Sequence, residues 1–193
     1  MKYGVCDVET LGTDSDAVVL SAAFVVQDLT KSFTLQELVD DAFYMKLSAK
    51  EQIAVGRHVA HDTVVWWKKQ NKEAQQILKP LNTDVYMAEF NEYFLAWATK
   101  KKLILEDIPF GARGFIDFSI LYHIWKRQLG IDPPIPYWNV EEIRTALKYI
   151  GTDRYAGLDP NEVEGFVYHS CKHDAALDWL RVQKALREVG VLK

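Results

Sequence analysis

The chain has 193 residues, of which 49% are hydrophobic and 26% charged, with a net charge of −4. This length and apolar content suffice for one sizeable core, which predicts a single domain over residues 1–193. The charge excludes the basic footprint of a protein that grips nucleic acid by overall potential. Two cysteines exclude a disulfide scaffold, no apolar run approaches the roughly 20 residues that span a bilayer, and the N-terminus lacks a secretory pattern. Reduced thiols in a cytoplasm are expected.

The periodicity predicts strands first and helices after. KYGVCDVE is a short apolar run that reads as a buried strand, AVVLSAAFVVQDL (17–29) as a longer one rich in branched residues, and AFYMKL (42–47) as a third. HDTVVWWKKQNKEAQQILKP (61–80) has helical composition, with Asp62 or Thr63 as cap and Pro80 as stop, and DVYMAEFNEYFLAWATKKK (84–102) predicts the next helix. LILEDIPFGA (103–112) reads as a further strand, and GFIDFSILYHIWKRQLG as a helix ended by Gly130. In WNVEEIRTALKYIG (138–151), Asn139 and Glu142 fit a capping box, and a last helix runs through HDAALDWLRVQKALREVG. GIDPPIPYW and TDRYAGLDPNEVEG are loop-like, and there is no internal repeat.

Two acids close the first strand. Side chains alternate along a strand, so Asp7 and Glu9 share a face while Val8 points away. Adjacent carboxylates in a half-buried strand end are stable only if solvated, paired with Arg or Lys, or neutralised by hard divalent cations. More acids follow. Asp117 begins the helix after the fourth strand, where it could equally serve the helix dipole. HSCKHDAALDWL holds His173 and Asp178 five residues apart, a turn of about 140° on an ideal helix, so the two share a face only if His173 sits in the turn before the helix. The same stretch satisfies that spacing one turn earlier, through His169 and Asp174. His169, Cys171 and His173 match no closed zinc pattern.

The order DVETLG, an isolated Asp, then H-x-A-x-x-D near the C-terminus resembles the DEDDh exonucleases of the ribonuclease H-like superfamily. TVVWWKKQNKEA (63–74), RGFIDFSIL (113–121), YWNVEEIRT (137–145) and GFVYHSCKHDAALD (165–178) are similar, in the same order, to the exodeoxyribonuclease A family of bacteriophages. The resemblance implies an α/β ribonuclease H-like fold, a central mixed β-sheet flanked by α-helices. It also implies a 3′–5′ exonuclease that hydrolyses single-stranded DNA to nucleoside monophosphates in a host cytoplasm. It places the metal-binding acids on Asp7, Glu9, Asp117 and Asp178 and the catalytic histidine on His173, since Ala175 supplies the family's small residue two places after the histidine. Asp174 then reads as a charge favoured at a helix N-terminus.

The chemistry expected of such a site uses two divalent metal ions, Mg²⁺ or Mn²⁺, that activate a water and stabilise the leaving oxygen. By the resemblance Asp7 bridges both ions, Glu9 and Asp178 complete the first, and Asp117 acts on the second through water. His173 is the candidate general base, because an imidazole titrates near neutral pH. The resemblance also turns Thr10, Leu11 and Gly12 toward the terminal nucleotide of a 3′ end, with Leu11 as a wedge. Trp66 is a candidate stacking residue. Trp67, adjacent on the helix, diverges by about 100° and reads as core. Arg113 reads as a partner of a phosphate or a carboxylate, and Lys100, Lys101 and Lys102 as a solvated helix end. Two alternatives stay open: an exoribonuclease with the same site, and a non-catalytic module of a polymerase or repair complex.

Overall fold

The computed structural model describes residues 1–192. Five strands, β1 (Lys2–Thr10), β2 (Val19–Asp28), β3 (Phe43–Lys46), β4 (Phe110–Ala112) and β5 (Val140–Glu142), form one sheet in the order β3-β2-β1-β4-β5. β1 runs antiparallel to β2, with Cys6 opposite Phe24 and Asp7 opposite Ala23, and parallel to β4. It is therefore hydrogen-bonded on both sides. The register of β1 and β2 shifts between Glu9 and Thr10, a bulge that turns the strand end just past the two acids.

Among the described residues seven α-helices surround the sheet: α1 (Leu35–Asp41), α2 (Ala49–Ala54), α3 (His61–Trp67), α4 (Met87–Lys100), α5 (Ile116–His123), α6 (Ile143–Ile150) and α7 (Cys171–Glu188). The alternation in β1 assigns the faces. Tyr3 and Val5 pack with Leu38 of α1, Leu147 of α6 and Trp179 of α7, whose indole N–H donates to the Tyr3 carbonyl at 3.1 Å. Cys6 and Phe24 pack on the other side with Phe90 and Phe94 of α4 and Phe118 of α5. Burying each such side chain contributes about 1.5–3 kcal/mol, so both layers are held firmly to the central strand. Asp7 and Glu9 continue the Tyr3–Val5 row and so emerge on the face that α7 covers. Gly4 allows β1 and β4 to approach closely, because a Cβ there would overlap the Phe110 ring.

Several expected elements are shorter than their composition suggests. The helix foreseen over 61–80 ends at Trp67 and starts after Ala60, with no side-chain cap, so neither Asp62 nor Thr63 is the cap. Side-chain amides break it up: Gln75 donates to the carbonyls of Lys68 and Gln70, and Asn71 accepts from the Ala74 N–H. A short 3₁₀ turn, Ala74–Leu78, follows. In 103–112 only Phe110–Ala112 pairs as strand, preceded by a 3₁₀ turn at Leu105–Asp107. Asn139 caps nothing, since its amide donates to the Glu106 carbonyl at 2.5 Å. Val140–Glu142 becomes the edge strand β5, and Glu142 itself caps α6, accepting from Arg144 and Thr145 N–H groups. α1 and α2 are additional, each signalled by a hydroxyl cap three residues before a glutamate: Thr34 with Glu37, and Ser48 with Glu51.

Candidate active site

Three chain segments bring acids together at the end of β1. Carboxylate oxygens of Asp7, Glu9 and Asp174 lie within 4.8 Å of one another. Asp7 and Glu9 come from alternate positions of one strand, and Asp174 projects from the first turn of α7, which lies across that face. Asp117, in the first turn of α5, is anchored from the other side of the strand end, where the Val8 N–H donates to its Oδ1 at 3.1 Å.

The structure corrects the expected place of the last acid. Asp178 lies one turn deeper in α7, is 4% exposed, and is neutralised by two guanidinium groups. Arg113 Nε donates to both its oxygens at 2.9 and 3.0 Å, and Arg181 Nη1 donates to Oδ1 at 2.7 Å. A carboxylate so saturated is a structural ion pair, and Arg113 resolves as its partner. Asp174, in the first turn of α7, takes the position beside Asp7 and Glu9.

The electrostatics of the cluster call for cations. Among the described residues, none of Asp7, Glu9, Asp117 and Asp174 has an ion-pair partner. Burial, then repulsion from Asp117, Asp174 and Glu9, drives the Asp7 carboxyl well above its ordinary range. Burial, with Asp174 and Asp117 nearby, pushes Glu9 up to about 8. Burial and the neighbouring Asp178 raise Asp174 to about 7, against the opposing pull of Arg181. Burial raises Asp117 to about 6, while the Val8 N–H pulls it back. An all-oxygen donor set of this charge fits hard divalent cations such as Mg²⁺ or Mn²⁺, and the residues present fit that group.

The two histidines take different environments. His169 precedes α7 in the left-handed backbone region, φ 57°, and its ring meets Trp66 edge-on at 4.8 Å. Trp66 is 42% exposed. It lines, with Glu9, Thr10, Gly12 and Thr63, a cleft of about 590 Å³. His173 lies within α7, one residue before Asp174, with Nδ1 3.0 Å from Ser170 Oγ and its ring edge-on to Phe166 at 6.2 Å. Burial lowers both imidazoles below their ordinary value, which favours their neutral forms. Cys171 opens α7 between them, fully buried with Sγ 3.2 Å from Ser21 Oγ.

Of the residues expected near a terminal nucleotide, Thr10, Gly12 and Trp66 line this cleft and Leu11 does not. Leu11 is buried with Val18, Leu20, Trp67 and Ala74, so it cannot wedge against a base from this position. The Trp67 indole donates to the Thr10 carbonyl at 2.8 Å and thereby fixes the turn after β1. Lys101 pairs with Asp41 and stands over the Trp97 ring, a helix-end arrangement away from the acids.

A mixed sheet of this order, with acids from β1, α5 and the start of α7 converging at one strand end, defines a ribonuclease H-like nuclease of the DEDDh exonuclease class. A family model described as a 3′–5′ exoribonuclease Rv2179c-like domain matches residues 2–189, and the chain belongs to that family. It is a 3′–5′ exonuclease. The exodeoxyribonuclease of Enterobacteria phage T4 is 29% identical over 201 residues, covering 95% of this chain and 88% of that protein. Among solved structures, cell-death related nuclease 4 (CRN-4) superposes with a TM-score of 0.64 at 14% identity, over 98% of this chain and 64% of that one. The chain thus spans about 64% of that nuclease's length. The nuclease domain of 3′hExo, a DEDDh family member bound to rAMP, gives 0.58 at 12% identity over 100% and 94% of the two chains. The Mg²⁺- and Mn²⁺-bound form of S. pombe Pop2p gives 0.60 at 12% identity, over 96% and 82%.

Proposed function

We propose that residues 1–193 act as a single exonuclease domain that removes nucleoside monophosphates from the 3′ end of single-stranded DNA with two divalent cations, Mg²⁺ or Mn²⁺. The observation that carries this reading is the set of mutually repelling acids, free of cationic partners, beside a cleft with an exposed indole. Asp7, Glu9 and Asp174 would hold the cations, with Asp117 completing the set. Bound there, the cations supply a strong nucleophile from water at neutral pH and charge stabilisation for the leaving oxygen.

The chain's own groups supply the remainder. His169 stands at the five-residue spacing from Asp174, its ring touches Trp66, which lines the cleft, and burial favours its neutral form; it is the general base of this reading, in place of His173. Trp66 offers an aromatic face to the terminal base, which holds single strands without regard to sequence. Thr10 and Gly12 line the cleft where the sugar would lie.

The phage relative, an exodeoxyribonuclease alike over most of both chains, supports DNA and a host cytoplasm as the place of action. No helix of the described residues is long and apolar enough to cross a membrane. The description of the family model favours RNA as the second reading. Labelled single-stranded DNA and matched RNA, each incubated with Mg²⁺, Mn²⁺ or EDTA, separate them. Stepwise shortening of DNA from its 3′ end, absent in EDTA, is expected. Shortening of RNA alone overturns the substrate assignment, and full activity in EDTA overturns the metal assignment.

A further inference from the structure

Beside Asp174 lies a second cavity of about 310 Å³, which shares no lining residue with the Trp66 cleft and whose lining includes Arg113, Arg144, Arg154, Arg181 and Tyr155. The four guanidinium groups come from separate parts of the chain: the loop before α5, α6, the segment after it, and α7. The Tyr155 ring gathers three of them, with the Arg154, Arg181 and Arg113 guanidinium carbons 4.5, 4.8 and 5.7 Å from its centroid. Like charges do not assemble in this way without anions. Asp178 satisfies Arg113 and Arg181. Asp174, the other lining carboxylate, belongs to the metal-binding set of the proposed function. Among the described residues, Arg144 and Arg154 have no carboxylate partner: Arg144 donates to the Arg113 carbonyl and Arg154 to the Tyr155 hydroxyl.

We propose that this pocket binds a backbone phosphate of the nucleic-acid strand, one upstream of the phosphodiester being cut. The inference rests on the nuclease reading, which puts the scissile bond at the acids. Asp174 lines the pocket and also belongs to the acid cluster, so the two cavities flank the acids. A strand with its terminal base in the Trp66 cleft has its next phosphates on the arginine side. Guanidinium forks match phosphate oxygens geometrically, and Arg113 and Arg181, fixed by Asp178, form a rigid floor beneath the freer Arg144 and Arg154. The guanidinium groups would engage phosphate oxygens, so the pocket adds length-dependent affinity without selecting base identity.

The test is binding by fluorescence anisotropy in EDTA, where no cleavage intervenes, of oligonucleotides two to six residues long. The wild type is compared with R144A/R154A, two exposed positions whose loss is expected to leave the circular dichroism spectrum unchanged. The wild type is expected to bind six-residue strands more tightly than two-residue ones. The variant is expected to lose about fivefold or more of affinity for the longer strands, on DNA and RNA alike, with a salt slope lower by about one to two. An unchanged affinity and salt slope overturns the phosphate pocket. A loss equal at every length also overturns it, since the arginines then act at the scissile bond. Failure of the nuclease reading is seen separately, as wild-type protein that cuts nothing in Mg²⁺ or Mn²⁺.

Discussion

Asp174 and Asp178 are one helical turn apart and have opposite fates, which makes them a sharp pair for mutagenesis. Asp174→Asn is expected to lower cleavage about 100-fold or more with the fold intact, because it removes a ligand from the proposed metal-binding set. Asp178→Asn leaves Arg113 and Arg181 buried without their counter-charge and is expected to cost about 3 kcal/mol of stability, read by urea unfolding. The reverse pattern would return the metal role to Asp178. The histidines divide similarly: His169→Ala is expected to lower kcat by about 10²–10⁴ and flatten the acid limb of the pH profile, and His173→Ala to do neither. Asp7 and Glu9 cluster as the family resemblance in the sequence implies, and Asp117 lies against Val8 between them, whereas their position at a strand end or helix start alone left a structural role open. The register of the last pair was not legible in the sequence, because the repeated H-x4-D spacing is blind to depth. One signal was available: Arg181, three residues beyond Asp178, marks that acid as already partnered on its own helix.

At the scale of elements, the site depends on how closely β1 and β4 approach. Gly4→Ala places a methyl against the Phe110 ring and is expected to cost about 1–3 kcal/mol, with part of the loss restored by Phe110→Leu in the same chain. A double-mutant cycle by thermal unfolding measures that coupling, and additive costs would show that the strands do not press on each other there. The longer elements, β1, β2, α4 and α7, were readable because their apolar periodicity extends over several turns or pleats. β5 was hidden, since three residues, VEE, carry no strand signal and owe their conformation to pairing with β4. The helix foreseen across 61–80 failed for the same kind of reason. Its composition is helical, but the Trp67 hydrogen bond to Thr10 and the amides of Asn71 and Gln75 give the backbone other partners.

For the whole molecule, the acid cluster sets a pH dependence opposite to that of an ordinary acidic protein. Glu9, Asp174 and Asp117, at about 8, 7 and 6, and Asp7, raised well above its ordinary range, bind protons more tightly folded than unfolded. The folded state therefore holds the excess protons between the ordinary carboxylate range, near 4, and about 8, and stability falls as pH rises through that window. In EDTA the melting temperature is expected to drop from pH 5 to pH 8. Mg²⁺ or Mn²⁺ should raise it, and more so at the alkaline end, because bound cations replace the protons. A metal effect that does not grow with pH would mean that the cations bind elsewhere.

The two cysteines carry a consequence of their own. Cys6 precedes Asp7, Cys171 opens the helix that delivers Asp174, and both thiols are sealed from solvent. Cys171 lies 1% exposed at the wall of a cavity of about 310 Å³, and a thiol reagent would reach it more readily when the start of α7 lifts from β2, the movement that would also draw Asp174 away from Asp7 and Glu9. The labelling rate of Cys171 is therefore a clock for the opening of the site, already installed in the natural chain, and divalent cations that bridge the helix to the strand should slow it.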